Sequence, residues 1–426
     1  MRKWNKIIAT MNLRYPKKGF GNPAVLVICS ILVGFSFSVD QHSHISKHRS
    51  TSEISFEPRK TYIPERRAVI PFELAKNTPL VEVYVNDQGP YSFILDTGST
   101  GLMFSHKLVA QINARIKPVD LVLNTSSGKL ELGRARHVKL VRIGGVEFHD
   151  LDAGVINLDR YSKSASIPVQ GVLGMQLFAN CQLTLDYLSH KLVLEAIDEA
   201  NKLCSAKSNV LPLKWLGYGT VAVPVTVNRQ ILWCLIDTAD GYGITLPYEK
   251  SKTLPLATPV SKLPHRIVTL YRSTKMYAAR LKGSLLLGCH ELASPIISFQ
   301  QDSTPQMGAR MLKHFIVTID QQAMMARFIR EDNAPIEPSP PIRHHGFYFE
   351  REAGLWVVTK AIEGIDLGKL GLQVGDRVIR VNNMPTAELS KKQLQALVDE
   401  NDALTLEVNR SEKRVLVKIP ITVIVP

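Results

Sequence analysis

Hydrophobic and polar residues alternate along much of this chain, which is the pattern of half-buried β-strands. Residues 79–86 alternate in this way and are expected to turn at 87–90, and residues 221–228 repeat the scheme. Each strand is followed by an apolar segment that opens into a turn at an aspartate, in residues 93–99 and again in residues 234–240. A carboxylate at the end of a buried strand is costly to desolvate unless it is hydrogen-bonded or used in chemistry. A pair of them predicts an acid/base device with a shared proton, and hydrolysis is the leading hypothesis.

The repetition extends beyond these two segments. Further matched positions follow in the same order, at 140–144 and 285–288, at Gly174 and Gly308, and at Asp186 and Asp320. The spacing from the glycine to the aspartate is the same in both halves, with no gap needed. The order and separation of these landmarks predict two copies of one all-β unit. The period is too long for a solenoid, whose repeats run to about 20–50 residues.

These motifs resemble those of a known family. The apolar-apolar-Asp-Thr-Gly-Ser segment at Asp96, with the apolar-apolar-Gly turn at 172–174, resembles the pepsin and retropepsin aspartic proteases. More narrowly, the chain resembles bacterial retropepsin-like proteins that carry a PDZ module. The resemblance covers roughly residues 66 to 420. It implies an all-β fold with two duplicated pepsin/retropepsin-like β-barrel lobes, which form a bilobal aspartic protease, and a C-terminal PDZ-like α+β domain.

The same landmarks give the expected domain boundaries. They are a signal peptide or signal anchor at 1–40, a polar linker at 41–65, protease lobe 1 at 66–203, protease lobe 2 at 204–331, a proline-rich linker at 332–342 and the PDZ-like domain at 343–426.

The resemblance implies a catalytic role for Asp96 and Asp237. One would be ionised and the other protonated, because like charges so close cannot both ionise. The ionised aspartate would take a proton from the attacking water. The protonated one would polarise the peptide carbonyl and then supply a proton to the leaving amine. Thr97 and Thr238 would bond to the backbone of the opposite lobe, and the chemistry needs no cofactor and no metal.

Two residues support the first motif, and two residues of the second motif depart from the family pattern. Gly98 would let the loop turn with its amide aimed at the carboxylate, and the Ser99 hydroxyl would donate to an outer oxygen of Asp96. Ala239 stands where the family has glycine, and Asp240 corresponds to Ser99. Alanine costs little if its backbone angle is ordinary. An ionised Asp240 would raise the proton affinity of the dyad, which predicts a pH optimum nearer neutral, or weak activity.

Two functions therefore remain open. The first is an aspartic endopeptidase of the cell envelope, with Asp96 and Asp237 sharing one proton. The second is a catalytically inactive protein that keeps the protease fold and its peptide cleft. The plainest alternative to both is a duplicated sandwich with no catalytic role, in which the two aspartates stand in turns because Asp favours turns. Candidate flap tips lie at 124–129 and 271–275, and both are equally well read as surface hairpins.

The C-terminal region has a different pattern. Residues 333–341 are polar and proline-rich, as in a semi-rigid linker. Residues 370–383 carry a Leu-Gly-Leu-x-x-Gly-Asp turn into a strand, which resembles a PDZ domain. Leucines at helical spacing in 388–398 predict the helix that lines its groove. The resemblance implies that a loop formed by Gly346, Phe347, Tyr348 and Phe349 binds peptide C-termini or added strands. The alternative is an aromatic strand that only packs the core.

The N-terminus indicates the compartment. Basic residues between Arg2 and Lys18 precede an uninterrupted apolar run at 23–39, with a small-x-small site at 36–38. This pattern is typical of a signal peptide or a signal anchor. We expect an exported protein of the periplasm or cell envelope, either released by signal cleavage or anchored in the inner membrane, with protein or peptide substrates.

The charge distribution and the cysteines bear on which partners the protein can bind. The net charge is +14, but the basic residues are spread over the whole chain, without a basic helix or an aromatic platform, which argues against a nucleic-acid partner. After the apolar run the chain has four cysteines, whose spacing is not that of a zinc site; they are Cys181, Cys204, Cys234 and Cys289. In an oxidising compartment they could form two disulfides in any of three pairings.

Overall fold

A computed structural model describes residues 56–75, 77–112, 116–125, 128–165, 167–204, 209–216, 219–268, 273–301, 303–330, 336–352 and 354–426. The predicted signal segment and most of the polar linker lie outside these ranges. Within them, no helix combines the length and the apolar character needed to cross a membrane.

The first half of the chain forms lobe 1. Its strands are β1 (Lys60–Tyr62), β2 (Arg67–Pro71), β3 (Glu73–Ala75), β4 (Thr78–Val85), β5 (Gln88–Leu95), β6 (Met103–Ser105), β7 (Ile116–Thr125), β8 (Gly128–Ile143), β9 (Val146–Ile156), β10 (Gly171–Leu173), β11 (Cys181–Asp186) and β12 (Lys191–Ala196). Two short helices are α1 (His106–Gln111) and α2 (Asp159–Ala165), and single 3₁₀ turns lie at Pro64–Arg66 and Met175–Phe178.

The second half forms lobe 2. Its strands are β13 (Val210–Pro212), β14 (Lys214–Trp215), β15 (Val221–Val227), β16 (Gln230–Asp237), β17 (Ile244–Pro247), β18 (Ser261–Val268), β19 (Ser273–Arg280), β20 (Ser284–Leu287), β21 (His290–Ala293), β22 (Ile296–Gln300), β23 (Gln306–Gly308), β24 (Ile316–Asp320) and β25 (Met325–Ile329). A 3₁₀ turn lies at Tyr248–Lys252, and helix α3 spans Ala309–Leu312.

The two lobes repeat the same strand pairings. In lobe 1 the aspartate strand β5 pairs with β4 and, in parallel, with β10; in lobe 2 the aspartate strand β16 pairs with β15 and, in parallel, with β23. Strand β10 also pairs with β6 as β23 does with β17. The duplication predicted from the sequence is therefore present in three dimensions.

Strand β4 shows why the alternating pattern folds this way. Val81, Val83 and Val85 are buried in the core of the lobe, and Glu82 between them is exposed. The hairpin turn follows at Asn86 and Asp87, which both have positive φ, rather than at 87–90 as predicted. Asn and Asp tolerate this left-handed conformation, which a two-residue hairpin turn requires.

A sheet of six strands joins the lobes, in the order β13-β25-β24-β11-β12-β2. Strands β11 and β24, the matched pair of the duplication, lie antiparallel to each other at its centre. Thr184 and Thr318, one from each copy, share a hydrogen bond of 2.9 Å. The internal repeat is thus also the interface between the lobes.

The C-terminal module has its own sheet and core. Its strands are β26 (Ile342–His344), β27 (Phe347–Glu352), β28 (Leu355–Ala361), β29 (Arg377–Val381), β30 (Met384–Pro385), β31 (Ala403–Arg410), β32 (Lys413–Pro420) and β33 (Thr422–Val425), with a 3₁₀ turn at Gly368–Leu370 and helix α4 at Lys391–Glu400. The main path of its larger sheet is β27-β28-β29-β31-β32, whereas β26 and β33 pair only with each other. Helix α4 begins later than the predicted residue 388, because Ser390 and Gln393 form a capping box.

The cysteines form no disulfide in the described residues. Cys181 and Cys234 are buried and Cys204 and Cys289 are exposed, and all four are free thiols. Burial raises the pKa of both Cys181 and Cys234 to about 12. These two thiols are therefore core residues of low reactivity.

Candidate active site

The two aspartates stand at corresponding ends of the duplicated strands β5 and β16. The amide of Asp96 donates to Leu173 O at 3.0 Å, which continues the parallel pairing of β5 with β10 into the turn. In lobe 2 the parallel register places Asp237 opposite Gly308. Asp96 and Asp237 are both fully buried.

Two threonines fix the loops to each other. The Thr97 hydroxyl donates to Ile236 O at 2.7 Å, and the Thr238 hydroxyl donates to Leu95 O at 2.6 Å. Each hydroxyl also accepts the backbone amide of the other threonine, at 3.0 Å. Four hydrogen bonds from the residues next to the aspartates therefore cross between the lobes. Such a buried lattice holds both carboxyl groups in fixed positions.

Gly98 shows how closely the two carboxyl groups approach. Its amide donates to Asp96 Oδ1 at 2.9 Å. A Cβ atom at Gly98 would lie 2.6 Å from Asp237 Cγ and 2.7 Å from Asp237 Oδ2, closer than real Cβ atoms come. Its φ lies outside the left-handed region, so the glycine is needed because the opposite carboxylate packs against it, and not for the turn that we expected.

The outer oxygens Oδ2 of Asp96 and Asp237 are buried and receive no donor from the described residues. Burial raises the pKa of Asp96 well above its usual range, and the neighbouring charge of Asp237 raises it further. Burial likewise raises the pKa of Asp237 to about 7, with the charge of Asp240 as the next cause. The two groups are close enough for one shared hydrogen bond when one of them is protonated. A single proton held by the pair is the arrangement that this electrostatics favours.

Ser99 does not behave as predicted. Its hydroxyl is buried and has no hydrogen-bond partner in the described part of the chain, so it does not donate to Asp96. One torsion angle decides where a serine hydroxyl points, and the spacing of residues along the chain does not determine that angle.

The departures in the second motif are accommodated. Ala239 does not have the positive φ that would strain an alanine, and its amide donates to Asp237 Oδ1 at 2.9 Å, as Gly98 does for Asp96. The amide of Asp240 donates to the same oxygen at 3.0 Å. Alanine therefore preserves the geometry of the loop.

Asp240 is held by partners that the motif did not reveal. Its Oδ1 accepts the amide of Tyr242 and its Oδ2 accepts the Thr245 hydroxyl, both at 2.9 Å. Burial raises the pKa of Asp240 to about 6, although these hydrogen bonds and the charge of Arg310 oppose the rise. Asp240 is therefore a buried acid that gains its charge just below neutral pH.

Sequence reasoning also missed a tyrosine near the dyad. The Tyr187 ring is buried, and its hydroxyl has no partner in the described residues. Burial and then the charge of Asp237 raise the Tyr187 pKa. No sequence motif identifies Tyr187 or Thr245. The nearest signal in the sequence is that Tyr187 is an aromatic residue at the end of an apolar strand and Thr245 is a polar residue within one.

The glycine landmarks have a packing role. A Cβ at Gly174 would lie 2.4 Å from the amide nitrogen of Gly101, and one at Gly308 would lie 2.4 Å from Tyr242 O and 2.8 Å from Asp240 Cγ. Both glycines let β10 and β23 run against the loops that follow the aspartates. Residues 126–127 of the first candidate flap tip and residues 271–272 of the second lie outside the described residues.

The predicted peptide loop of the C-terminal module is only partly available. Phe347 is buried in the module's core, and Phe349 packs on Trp356 at 4.2 Å between ring centroids. The amide of Gly346 donates to His344 Nδ1 at 2.8 Å, so it is engaged within the module. The Tyr348 hydroxyl donates to Pro264 O of lobe 2. Strand β27 nevertheless stands at the edge of its sheet, where a further strand can pair.

The Gly-Asp signature of the module has a structural explanation. Asp376 is buried and pairs with Arg410 through two hydrogen bonds, of 2.8 and 2.7 Å. It also accepts the amide of Gln373 at 2.8 Å. This aspartate therefore fixes the turn into β29.

Comparison with known proteins gives a family match within lobe 1. Residues 81–177 match the sequence model of a family described as aspartyl protease, a range that contains Asp96 and Gly174. No curated protein matches the chain. Among solved structures, the chain is similar to a PDZ domain protein from Parabacteroides distasonis ATCC 8503, with 15% identity over 20% of this chain and 21% of that one and a TM-score of 0.18.

The chain is also similar to Basic 7S globulin from soybean, with 12% identity over 62% of this chain and 94% of that one and a TM-score of 0.35. The chain spans only about a fifth of the PDZ protein. The predicted fold class, nearly all β with duplicated lobes, is confirmed by the pairings and by the family match. The family match ends before lobe 2, so it does not include Asp237.

Proposed function

We propose that the protein is an aspartic endopeptidase in which Asp96 and Asp237 share one proton and activate a water between them. The observation that carries this proposal is the set of four cross-lobe hydrogen bonds from Thr97 and Thr238, which sets the two carboxyl groups face to face. Positions fixed in this way are what catalysis by general acid and base requires.

The chemistry follows from the oxygens that the protein leaves free. The inner oxygens Oδ1 of Asp96 and Asp237 accept backbone amides, and the outer oxygens Oδ2 receive no donor from the described residues. The outer oxygens are therefore the atoms that would hold the water. The ionised carboxylate takes a proton as the water attacks the peptide carbonyl, and the protonated one polarises that carbonyl and then protonates the leaving amine.

Two further parts of the proposal concern place and partners. The basic, then apolar N-terminal sequence supports export to the periplasm or cell envelope, with cleavage of the signal or retention as an inner-membrane anchor. The edge strand β27 supports capture of peptide strands or C-termini by the PDZ-like module, either as substrates or as regulatory partners.

The test is cleavage of an unfolded polypeptide by the purified protein, with and without a pepsin-type transition-state inhibitor. Asp96→Asn and Asp237→Asn should each abolish cleavage while the fold is retained. Asp186→Asn is the matched control, because Asp186 also ends a β-strand but only caps its own turn through the amides of Leu188 and Ser189. Cleavage that survives either dyad substitution would falsify the shared-proton mechanism.

The alternative function gives a different result. A wild-type protein that binds the inhibitor but cleaves no polypeptide between pH 3 and 8 would be a catalytically inactive peptide-binding protein. The buried acid Asp240, which adds charge beside Asp237, is the feature that favours this outcome.

A further inference from the structure

The last strand of the chain packs against the protease and not against the PDZ-like sheet. Strand β33 pairs with β26, with Val425 opposite Ile342. Val425 is fully buried and clusters with Leu263, Met276 and Ala278 of the second-lobe hairpin formed by β18 and β19. The module therefore contributes a side chain to the packing of lobe 2.

A polar tie reinforces this contact. Arg280 at the end of β19 donates to Ser294 O and to Ser339 O, each at 2.8 Å, and also to Pro426 O, directly after β33. These carbonyls belong to lobe 2, to the proline-rich linker and to the end of the C-terminal strand. One guanidinium thus fixes three segments that are distant in sequence.

Further contacts hold the same hairpin. Lys262 of β18 pairs with Glu363 of the module, and Pro264 O accepts the Tyr348 hydroxyl. The linker is itself docked, because Ile336 is buried and bridges to Leu292. The module is therefore attached to lobe 2 along the hairpin and does not hang from a free linker.

The cluster around Val425 also reaches the second catalytic loop. Tyr242 packs, half-buried, against this cluster. Its amide donates to Asp240 Oδ1 at 2.9 Å, and the amide of Asp240 donates to Asp237 Oδ1 at 3.0 Å. Two hydrogen bonds therefore separate Tyr242, which packs on the cluster that includes Val425, from the carboxyl group of Asp237.

We propose that β33 is a positioning element for the active site: through Val425 and Tyr242, the PDZ-like module holds the loop that carries Asp237. This inference rests on the proposed function. It differs from substrate capture at the groove, which would affect only substrates long enough to reach the module. A positioning role affects turnover of every substrate, including a short peptide that occupies the cleft alone.

The test compares Val425→Asp with Leu416→Asp on such a short peptide. Leu416 lies on β32 of the same module and is 74% exposed, so its variant adds the same charge without touching lobe 2. Because small displacements of catalytic groups are costly, kcat should fall at least about tenfold in Val425→Asp. KM should stay within about twofold, since ground-state binding is not removed. Leu416→Asp should match the wild type.

A second readout does not need activity. In an Asp96→Asn background, hydrogen exchange of the amides at 238–245 should be faster with Val425→Asp than without it, while β4 and β5 exchange as before. If the wild type cleaves nothing, the proposed function fails and exchange alone decides the positioning role. If Val425→Asp does not fold, Val425→Ala should show the same two changes, a lower kcat and faster exchange at 238–245, to a smaller extent. Turnover of the short peptide by Val425→Asp at the wild-type rate, or exchange at 238–245 that Val425→Asp leaves unchanged, would overturn the inference.

Discussion

The sharpest prediction concerns the charge of Asp240. The variant Asp240→Asn keeps the size of the side chain and an oxygen for the amide of Tyr242, but it removes the carboxylate that raises the pKa of Asp237. Burial remains the larger cause of the raised pKa and is unchanged by the substitution. The pKa of Asp237 should therefore fall from about 7 but stay well above that of an exposed aspartate.

The effect should appear on one side of the pH profile. Burial raises the pKa of Asp240 to about 6, so its carboxyl group is charged where the dyad loses its last proton and neutral at lower pH. In Asp240→Asn the alkaline limb of kcat/KM should move down by about one pH unit, equivalent to ~1.4 kcal/mol. The acidic limb should move little, because Asp240 is already protonated there.

The assay is kcat/KM for an unfolded polypeptide from pH 3 to 9, since its limbs report the ionisations of the free enzyme. Asp240→Ser should behave in the same way, and Asp87→Asn, on an exposed hairpin turn, is the control for loss of a surface charge. An alkaline limb that stays in place, or moves to higher pH, in both Asp240 variants would refute the reasoning.

Two other predictions concern stability. Thr97→Val leaves Ile236 O and the amide of Thr238 without their partner, so it should lower the unfolding free energy by about 2–3 kcal/mol. Thr97→Ser keeps the hydroxyl and should retain most of the stability of the wild type. Equal stability of the two variants in urea would contradict this prediction. Asp237→Asn should instead stabilise the protein at alkaline pH, because the pKa of Asp237 is raised from 3.8 to about 7, and folding then loses stability as pH rises through that interval. The gain in unfolding free energy should be on the order of 4 kcal/mol at pH 8 and should vanish towards pH 4. Urea unfolding that shows the same gain at both pH values would contradict this prediction.

The local pattern predicted much of the fold for a physical reason. Alternation fixes which face of a strand is buried, so β4 and β15 could be placed from their valines alone. Turn and helix ends were less certain. The hairpin turn fell at Asn86 and Asp87, and α4 began after Ser390, because side-chain hydrogen bonds and tolerance of positive φ decide those positions.

The candidate site was predictable only where the two copies repeat. The paired motifs identified Asp96 and Asp237, and the threonines beside them, without reference to any structure. Ser99 was misplaced because its hydroxyl direction is a matter of local packing. Thr245 and Tyr242 were missed because their role depends on a contact with Asp240 that belongs to one lobe and has no counterpart in the repeat.

By itself, then, the sequence determined the strands, the internal duplication and the two acidic positions, because these follow from periodicity and from residue chemistry close along the chain. Only the tertiary structure decided how near the carboxyl groups lie, why Gly98 admits no side chain and how Val425 joins the packing of lobe 2. Those features depend on distances between segments far apart in sequence, which are set by the packing of the whole molecule.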